Sequence, residues 1–131
     1  MRGSTIRKIG FIISLWFVCS AAQTAELSGM PRVVDGDTLV LGATKVRLEG
    51  IDAPETDQLC LNAKGARRTC GIDARDQLAA LIAGRSIRCS SSGTDVDHRT
   101  LGTCSLAGQD LNAWMVQQGW ALAYLLVFAM K

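Results

Sequence analysis

With 131 residues, of which 48% are hydrophobic and 20% charged, the chain is long enough for one small globular domain and too short for two. Thirteen glycines and two prolines exclude a collagen-like or low-complexity polymer, and no repeat period is visible. A formal charge of +2, from 14 basic and 12 acidic residues, excludes a strongly basic, histone-like protein.

In chain order, the first element is a leader. Arg2, Arg7 and Lys8 precede an apolar run, Ile9 to Val18, which gives way to Cys19, Ser20, Ala21 and Ala22. A charged start, a short apolar stretch and small residues at the exit describe an export signal over residues 1–25, with cleavage after Ala22 or Ala25. The apolar run is shorter than the ~20 residues a membrane-spanning helix needs, so no membrane association is expected once it is removed. Removal takes away three cations and no acid, leaving 11 basic against 12 acidic residues. Any affinity for nucleic acid must then come from local arginines or a bound metal, not from a global field. Export to the periplasm or medium also suits the remaining cysteines, Cys60, Cys70, Cys89 and Cys104, an even set for two disulfides. Three connectivities are possible. Cys60–Cys70, closing a short loop, and Cys89–Cys104, joining two neighbouring strands, are favoured. A zinc site is disfavoured, because there is no C-x-x-C pair and His98 is the single histidine.

Met30–Val34 is β-prone and stops at Asp35-Gly36, a hairpin signal. Thr38–Leu41 predicts a second strand, Gly42-Ala43-Thr44 a turn and Lys45–Ile51 a third strand. In that strand Val46, Leu48 and Gly50 share one face, and Lys45, Arg47, Glu49 and Ile51 the other. Residues 53–70 read as a loop with a small basic cluster, Lys64, Arg67 and Arg68. Ala74, Leu78, Leu81 and Ile82 form the apolar stripe of a helix that Gly84 ends. Ser86–Ser90 and Thr100–Ser105 predict two more strands, and Gly108 another turn. Asp110 can cap a second helix over 111–118, with Leu111, Trp114 and Met115 on one face and Gly119 past its end. Three strands, a helix, two strands and a helix describe a β-barrel with helices, an α+β five-stranded OB-type fold over residues 26–124.

Two acidic groups stand at strand ends, Asp35-Gly36-Asp37 and Asp52-Ala53-Pro54-Glu55, with Arg47 between them and Arg99 before the fifth strand. Carboxylates gathered from two turns repel unless a cation joins them, and hard oxygen ligands favour Ca²⁺ or Mg²⁺. Two arginines beside such an ion can clamp a phosphate. A carboxylate outside the ligand set can position or deprotonate water. Singly, each piece is commonplace: Asp-Gly as a turn, Arg47 and Glu49 as a solvated strand face, Arg99 as a surface cation. Together they describe phosphodiester hydrolysis.

Val33-Val34-Asp35-Gly36-Asp37-Thr38, followed by Val46-Arg47-Leu48-Glu49-Gly50-Ile51-Asp52-Ala53-Pro54-Glu55, closely resembles the staphylococcal nuclease-like (thermonuclease) family. The resemblance continues through Asp95 and Arg99 into Asp110-Leu111-Asn112, Met115-Val116 and Gly119-Trp120-Ala121-Leu122-Ala123-Tyr124, and the four cysteines resemble those of exported bacterial members. It implies that Asp37, Asp52 and the backbone carbonyl of Ala53 hold Ca²⁺. It implies that Glu55 activates or orders the attacking water, and that Arg47 and Arg99 hold the scissile phosphate. Tyr124 would pack on base or sugar. The implied activity is cleavage of DNA and RNA with little sequence preference, leaving 3′-phosphates, by a monomer. Where relatives usually have Tyr-Gly before the second arginine, this chain has Asp97-His98, and Leu126 replaces a common aromatic. Residues 125–131, six apolar residues and a lysine, stand where relatives carry a charged segment and a final helix, as in a truncated or altered C-terminus. These departures leave an alternative: a catalytically weak OB-fold module that binds nucleic acid or another anionic polymer.

Overall fold

The computed structural model describes residues 24–124, together with residues 3, 10 and 12–20 of the leader; the 125–131 tail lies outside the described residues. Leader residues 12–20 carry no regular structure, and their large apolar side chains are exposed. No helix among the described residues is long and apolar enough to cross a membrane.

A curled mixed sheet carries the fold. Its strands are β1 (Ala25–Gly29), β2 (Arg32–Asp35), β3 (Thr38–Leu41), β4 (Thr44–Leu48), β8 (Ile87–Thr94) and β9 (Thr100–Leu106), in the order β1-β8-β9-β4-β3-β2, with β10 (Gln109–Asp110) folded back on β9. All pairs are antiparallel except β4–β9, whose parallel ladder sets Val46 opposite Thr100 and Arg47 opposite Leu101. Two short ladders stand apart: β5 (Ile51–Asp52) with β11 (Leu122–Ala123), and β6 (Cys60–Leu61) with β7 (Arg67–Arg68). Helices α1 (Cys70–Ile82) and α2 (Leu111–Gln117) complete the OB-type α+β arrangement expected from the sequence.

The core lies between the sheet and the helices. Leu39, Val46, Leu48, Ile87, Cys89 and Cys104 face Leu78, Ile82, Leu111 and Met115. Ala74, Leu78 and Ile82 are the expected stripe of α1, with Leu81 half-buried beside them. Asp110 caps α2, its Oδ1 accepting from the Ala113 N–H at 3.0 Å. Both favoured disulfides are present, Cys60–Cys70 and Cys89–Cys104; the latter joins residues directly opposite each other in the β8–β9 ladder.

Several expectations are corrected. β1 was not anticipated; it pairs with β8 from Ala25↔Ser91 to Gly29↔Ile87, and it begins at the last residue assigned to the leader. The expected alternation of Lys45–Ile51 holds through Leu48 and then fails. Glu49-Gly50 forms a turn with Gly50 at φ 80°, which swings Ile51 into the core. The 53–70 loop contains the β6–β7 hairpin. Helix α1 ends in a left-handed Ala83, whose N–H bonds to the Ala79 carbonyl, one residue before Gly84. Gly36 does not serve the β2–β3 turn through positive φ. A Cβ there would lie 2.8 Å from the Ala53 Cβ and 2.9 Å from the Ala74 Cβ, so its role is close approach.

Candidate active site

The site is built where the β2–β3 turn, β4 and the segment after β5 meet. Asp37 is buried at the start of β3. Its Oδ1 accepts from the Thr38 hydroxyl at 2.9 Å and its Oδ2 from the Ala53 N–H at 2.8 Å. The second of these bonds ties the β2–β3 turn to the residue after β5, across 16 positions of sequence.

Arg47 projects from β4 on the face opposite Val46 and Leu48, and is cross-strand partner to Thr38. Its Nη1 lies 2.9 Å from Asp37 Oδ2 and its Nη2 3.4 Å from Asp52 Oδ1. The Asp37 side chain is 9% exposed and that of Asp52 54%, so the pair to Asp37 is the sheltered one. Nη1 is buried, and its contact with Asp37 is an ion pair without an aligned hydrogen bond. One guanidinium between two carboxylates leaves a formal charge of −1. The three side chains expected to converge from β3, β4 and β5 do converge.

Glu55 follows two residues after Ala53. Its side chain is exposed, and its N–H donates to Gln58 Oε1 at 2.7 Å. Asp35 accepts from the Thr56 N–H through Oδ1 at 3.1 Å, pinning the same loop to the end of β2. Arg99 precedes β9, and by register it lies on the Arg47 face of the sheet, two residues before Leu101. Its guanidinium is engaged locally: Nε lies 2.8 Å from Asp95 Oδ2, and Nη2 3.3 Å from Asp97 Oδ2. Neither Glu55 nor Arg99 ion-pairs or hydrogen-bonds through its side chain with the Asp37–Arg47–Asp52 cluster. Tyr124 is exposed at the end of β11, with its N–H bonded to the Gly50 carbonyl at 2.7 Å.

The Asp95–Arg99 turn is strongly ordered by charge. Asp95 Oδ1 accepts from the N–H groups of Asp97 and Arg99, each at 2.9 Å, and His98 takes a left-handed φ of 60°. Partial desolvation works against ionisation of Asp95, but these two N–H donors and the Arg99 guanidinium outweigh it and hold the carboxyl below its usual value.

The groups around Arg47 are hard oxygens, the Asp37 and Asp52 carboxylates, and Ala53 is tied to the first of them through its N–H. Among the described residues no three His, Cys, Asp or Glu side chains gather into a ready-made metal cage. Oxygen donors suit Ca²⁺ or Mg²⁺ and exclude a thiolate or imidazole site, so a cation would have to complete its shell with water and substrate oxygens. A cleft of about 340 Å³ adjoins the cluster, lined by Asp52, Pro54, Gln58, Cys60, Trp120 and Leu122.

Asn112, part of the Asp110-Leu111-Asn112 stretch that carries the resemblance, is a structural member of the site whose role the sequence does not disclose. From the first turn of α2 its Oδ1 accepts from the Cys104 N–H at 3.0 Å, and its Nδ2 donates to the carbonyls of Glu49 at 2.9 Å and Gly102 at 3.0 Å. It thereby locks the end of β4 to β9.

A curled OB-type sheet with a carboxylate–guanidinium–carboxylate cluster built around the interior strand β4 is a frame suited to phosphate chemistry. The Staphylococcal nuclease homologue family matches residues 45–129, and the chain belongs to that family. Among similar proteins, a succinoglycan biosynthesis protein, ExoI, of Rhizobium meliloti is 36% identical over 119 residues, covering 88% of this chain and 62% of that protein. A protein of Haemophilus influenzae named as an uncharacterized endonuclease is 34% identical over 98 residues, covering 71% of this chain and 49% of that protein. The endonuclease YhcR of Bacillus subtilis is 33% identical over 105 residues, which is 72% of this chain but 9% of that protein. The chain thus spans less than two thirds of each of these relatives.

Proposed function

We propose that this chain is a nuclease: a Ca²⁺-dependent phosphodiesterase that cleaves DNA and RNA with little sequence preference and leaves 3′-phosphates. The observation that carries the reading is the Arg47 guanidinium held between Asp37 and Asp52. In this reading Arg47 binds a non-bridging phosphate oxygen, and Arg99 supplies the second guanidinium after exchanging the exposed Asp97 for phosphate. Asp37, Asp52 and the Ala53 carbonyl would hold the ion, which supplies electrostatic stabilisation of charge developing on the phosphate. Glu55 orders the attacking water and takes its proton as the water oxygen bonds to phosphorus. The bond to the 5′ oxygen breaks, and that oxygen is protonated by solvent. Tyr124 offers a face to base or sugar. Action as an exported monomer, in the periplasm or medium, is part of the same proposal, supported by two disulfides that suit an oxidising compartment.

The test is hydrolysis of single-stranded DNA with Ca²⁺, with EGTA, and with Glu55→Ala. Turnover abolished by EGTA and cut at least ~100-fold by Glu55→Ala, on the scale of acid–base catalysis, is the expected result. Turnover indifferent to both refutes the mechanism. The engagement of Arg99 by Asp95 and Asp97 favours the second reading, a binding module with feeble catalysis. That reading predicts oligonucleotide binding with turnover no better than that of Glu55→Ala.

A further inference from the structure

The loop that carries Glu55 has little apolar packing of its own, as its residues from Glu55 to Leu59 are exposed or half-buried. Its conformation is instead fixed by polar contacts that converge on one residue. Gln58 meets Glu55 twice. Its Oε1 accepts from the Glu55 N–H at 2.7 Å, and its own N–H donates to the Glu55 carbonyl at 2.8 Å. Both backbone polar groups of Glu55 are therefore committed to a single residue, three positions away.

Gln58 is in turn anchored to α1. Its carbonyl accepts from the Gly71 N–H at 3.4 Å, and the Cys60–Cys70 disulfide closes the chain two residues further on. Gly71 is buried at the start of the helix, and a Cβ there would collide with the Glu55 carbonyl. Its lack of a side chain is what lets the loop seat so closely. Thr56 adds the bond to Asp35 described above.

A residue three positions from a reacting group, whose side chain accepts from that group's N–H and whose own N–H donates to its C=O, sets the φ and ψ of that group and so the direction in which its carboxylate leaves the backbone. We infer that Gln58 is the positioning residue for Glu55, seated against Gly71 and acting through the backbone without touching substrate. The inference rests on the nuclease reading, and adds to it which residue makes the base effective. Misplacing a catalytic group by about 1 Å can cost ~100-fold in rate, so a loop tied by one amide oxygen is a sensitive point.

Gln58→Met keeps the length of the side chain and removes the acceptor; Gln58→Glu keeps an acceptor. The assay is steady-state hydrolysis of single-stranded DNA at saturating Ca²⁺, paired with hydrogen exchange at the Glu55 amide in metal-free protein and with a thermal melt. Gln58→Met is expected to lower kcat by about tenfold with KM within about twofold, and to speed exchange at Glu55 by about tenfold, while Gln58→Glu restores most of both. Gly71→Ala, if it melts cooperatively, is expected to lose at least as much kcat through displacement of the Glu55 carbonyl. Equal kcat in wild type and Gln58→Met overturns the inference, as does a loss that lies wholly in KM or that Gln58→Glu fails to rescue. If the wild type shows no turnover, the nuclease reading fails separately, and unchanged exchange at Glu55 in Gln58→Met overturns the positioning role as well.

Discussion

Replacing Asn112 with alanine is the sharpest test of how the site is held. The residue is 5% exposed and completes the hydrogen bonding of three backbone groups, two on β9 and one in the turn after β4. The Gly102 carbonyl keeps a second donor, the Glu49 N–H at 2.9 Å, so truncation leaves two groups short of this partner: the Cys104 N–H and the Glu49 carbonyl. An unsatisfied buried donor or acceptor costs ~1–3 kcal/mol, and the Glu49 carbonyl is nearer to water, so the sum is about 3 kcal/mol. Against a total stability of ~5–15 kcal/mol this is a large fraction. For a domain of about 100 residues it corresponds to a fall in Tm of ~12–24 °C. Urea and thermal melts followed by circular dichroism measure it directly. Asn112→Asp keeps the acceptor for Cys104 but loses both donors, and should also destabilise. A loss under ~1 kcal/mol for Asn112→Ala would show that water replaces the amide, and would refute the view that this residue locks β4 to β9.

Two further outcomes are expected. Gly36→Ala forces a Cβ between Ala53 and Ala74, and should cost ~1–3 kcal/mol through overpacking while loosening the Ala53–Asp37 bond; a melt unchanged from wild type would rule out the close approach as its role. The lowered carboxyl of Asp95 contributes stability that is present above the ordinary carboxylate pKa and lost as pH falls through its lower native value. Urea melts of Asp95→Asn should therefore show a smaller loss of stability than wild type between pH 7 and about pH 3, and parallel losses would count against the assignment.

Elements with strong periodicity or a cap were legible in the sequence. The stripe of Ala74, Leu78 and Ile82 and the Asp110 cap each express a local rule that packing obeys. Thr38–Leu41 was legible because buried β-branched and leucine residues lie between two turn signals. β1 was not, because Ala25–Gly29 has little strand propensity and is a strand by virtue of the β8 edge it covers, a long-range fact. Ile51 was misplaced because strict alternation ignores a turn, and Gly50 gave the only hint of one. At the site, acids and arginines announced themselves by type and spacing. Their mutual contacts did not, since Arg99 chooses Asp95 and Asp97 over Asp37 and Asp52. The structural roles of the amides Gln58 and Asn112 were hidden for the opposite reason: neither residue type signals burial or a structural bond until the fold supplies its partners.

The bridge between Cys89 and Cys104 sets a deadline for the folding chain. Its two residues are 1% and 0% exposed and face each other across adjacent strands. Once β8 has zipped to β9 beneath the helices, no oxidant in solution can reach the sulfurs. Oxidation must therefore outpace sheet closure, or a partial opening must later readmit the oxidant. A chain assembled among reducing agents would bury a dithiol and keep it.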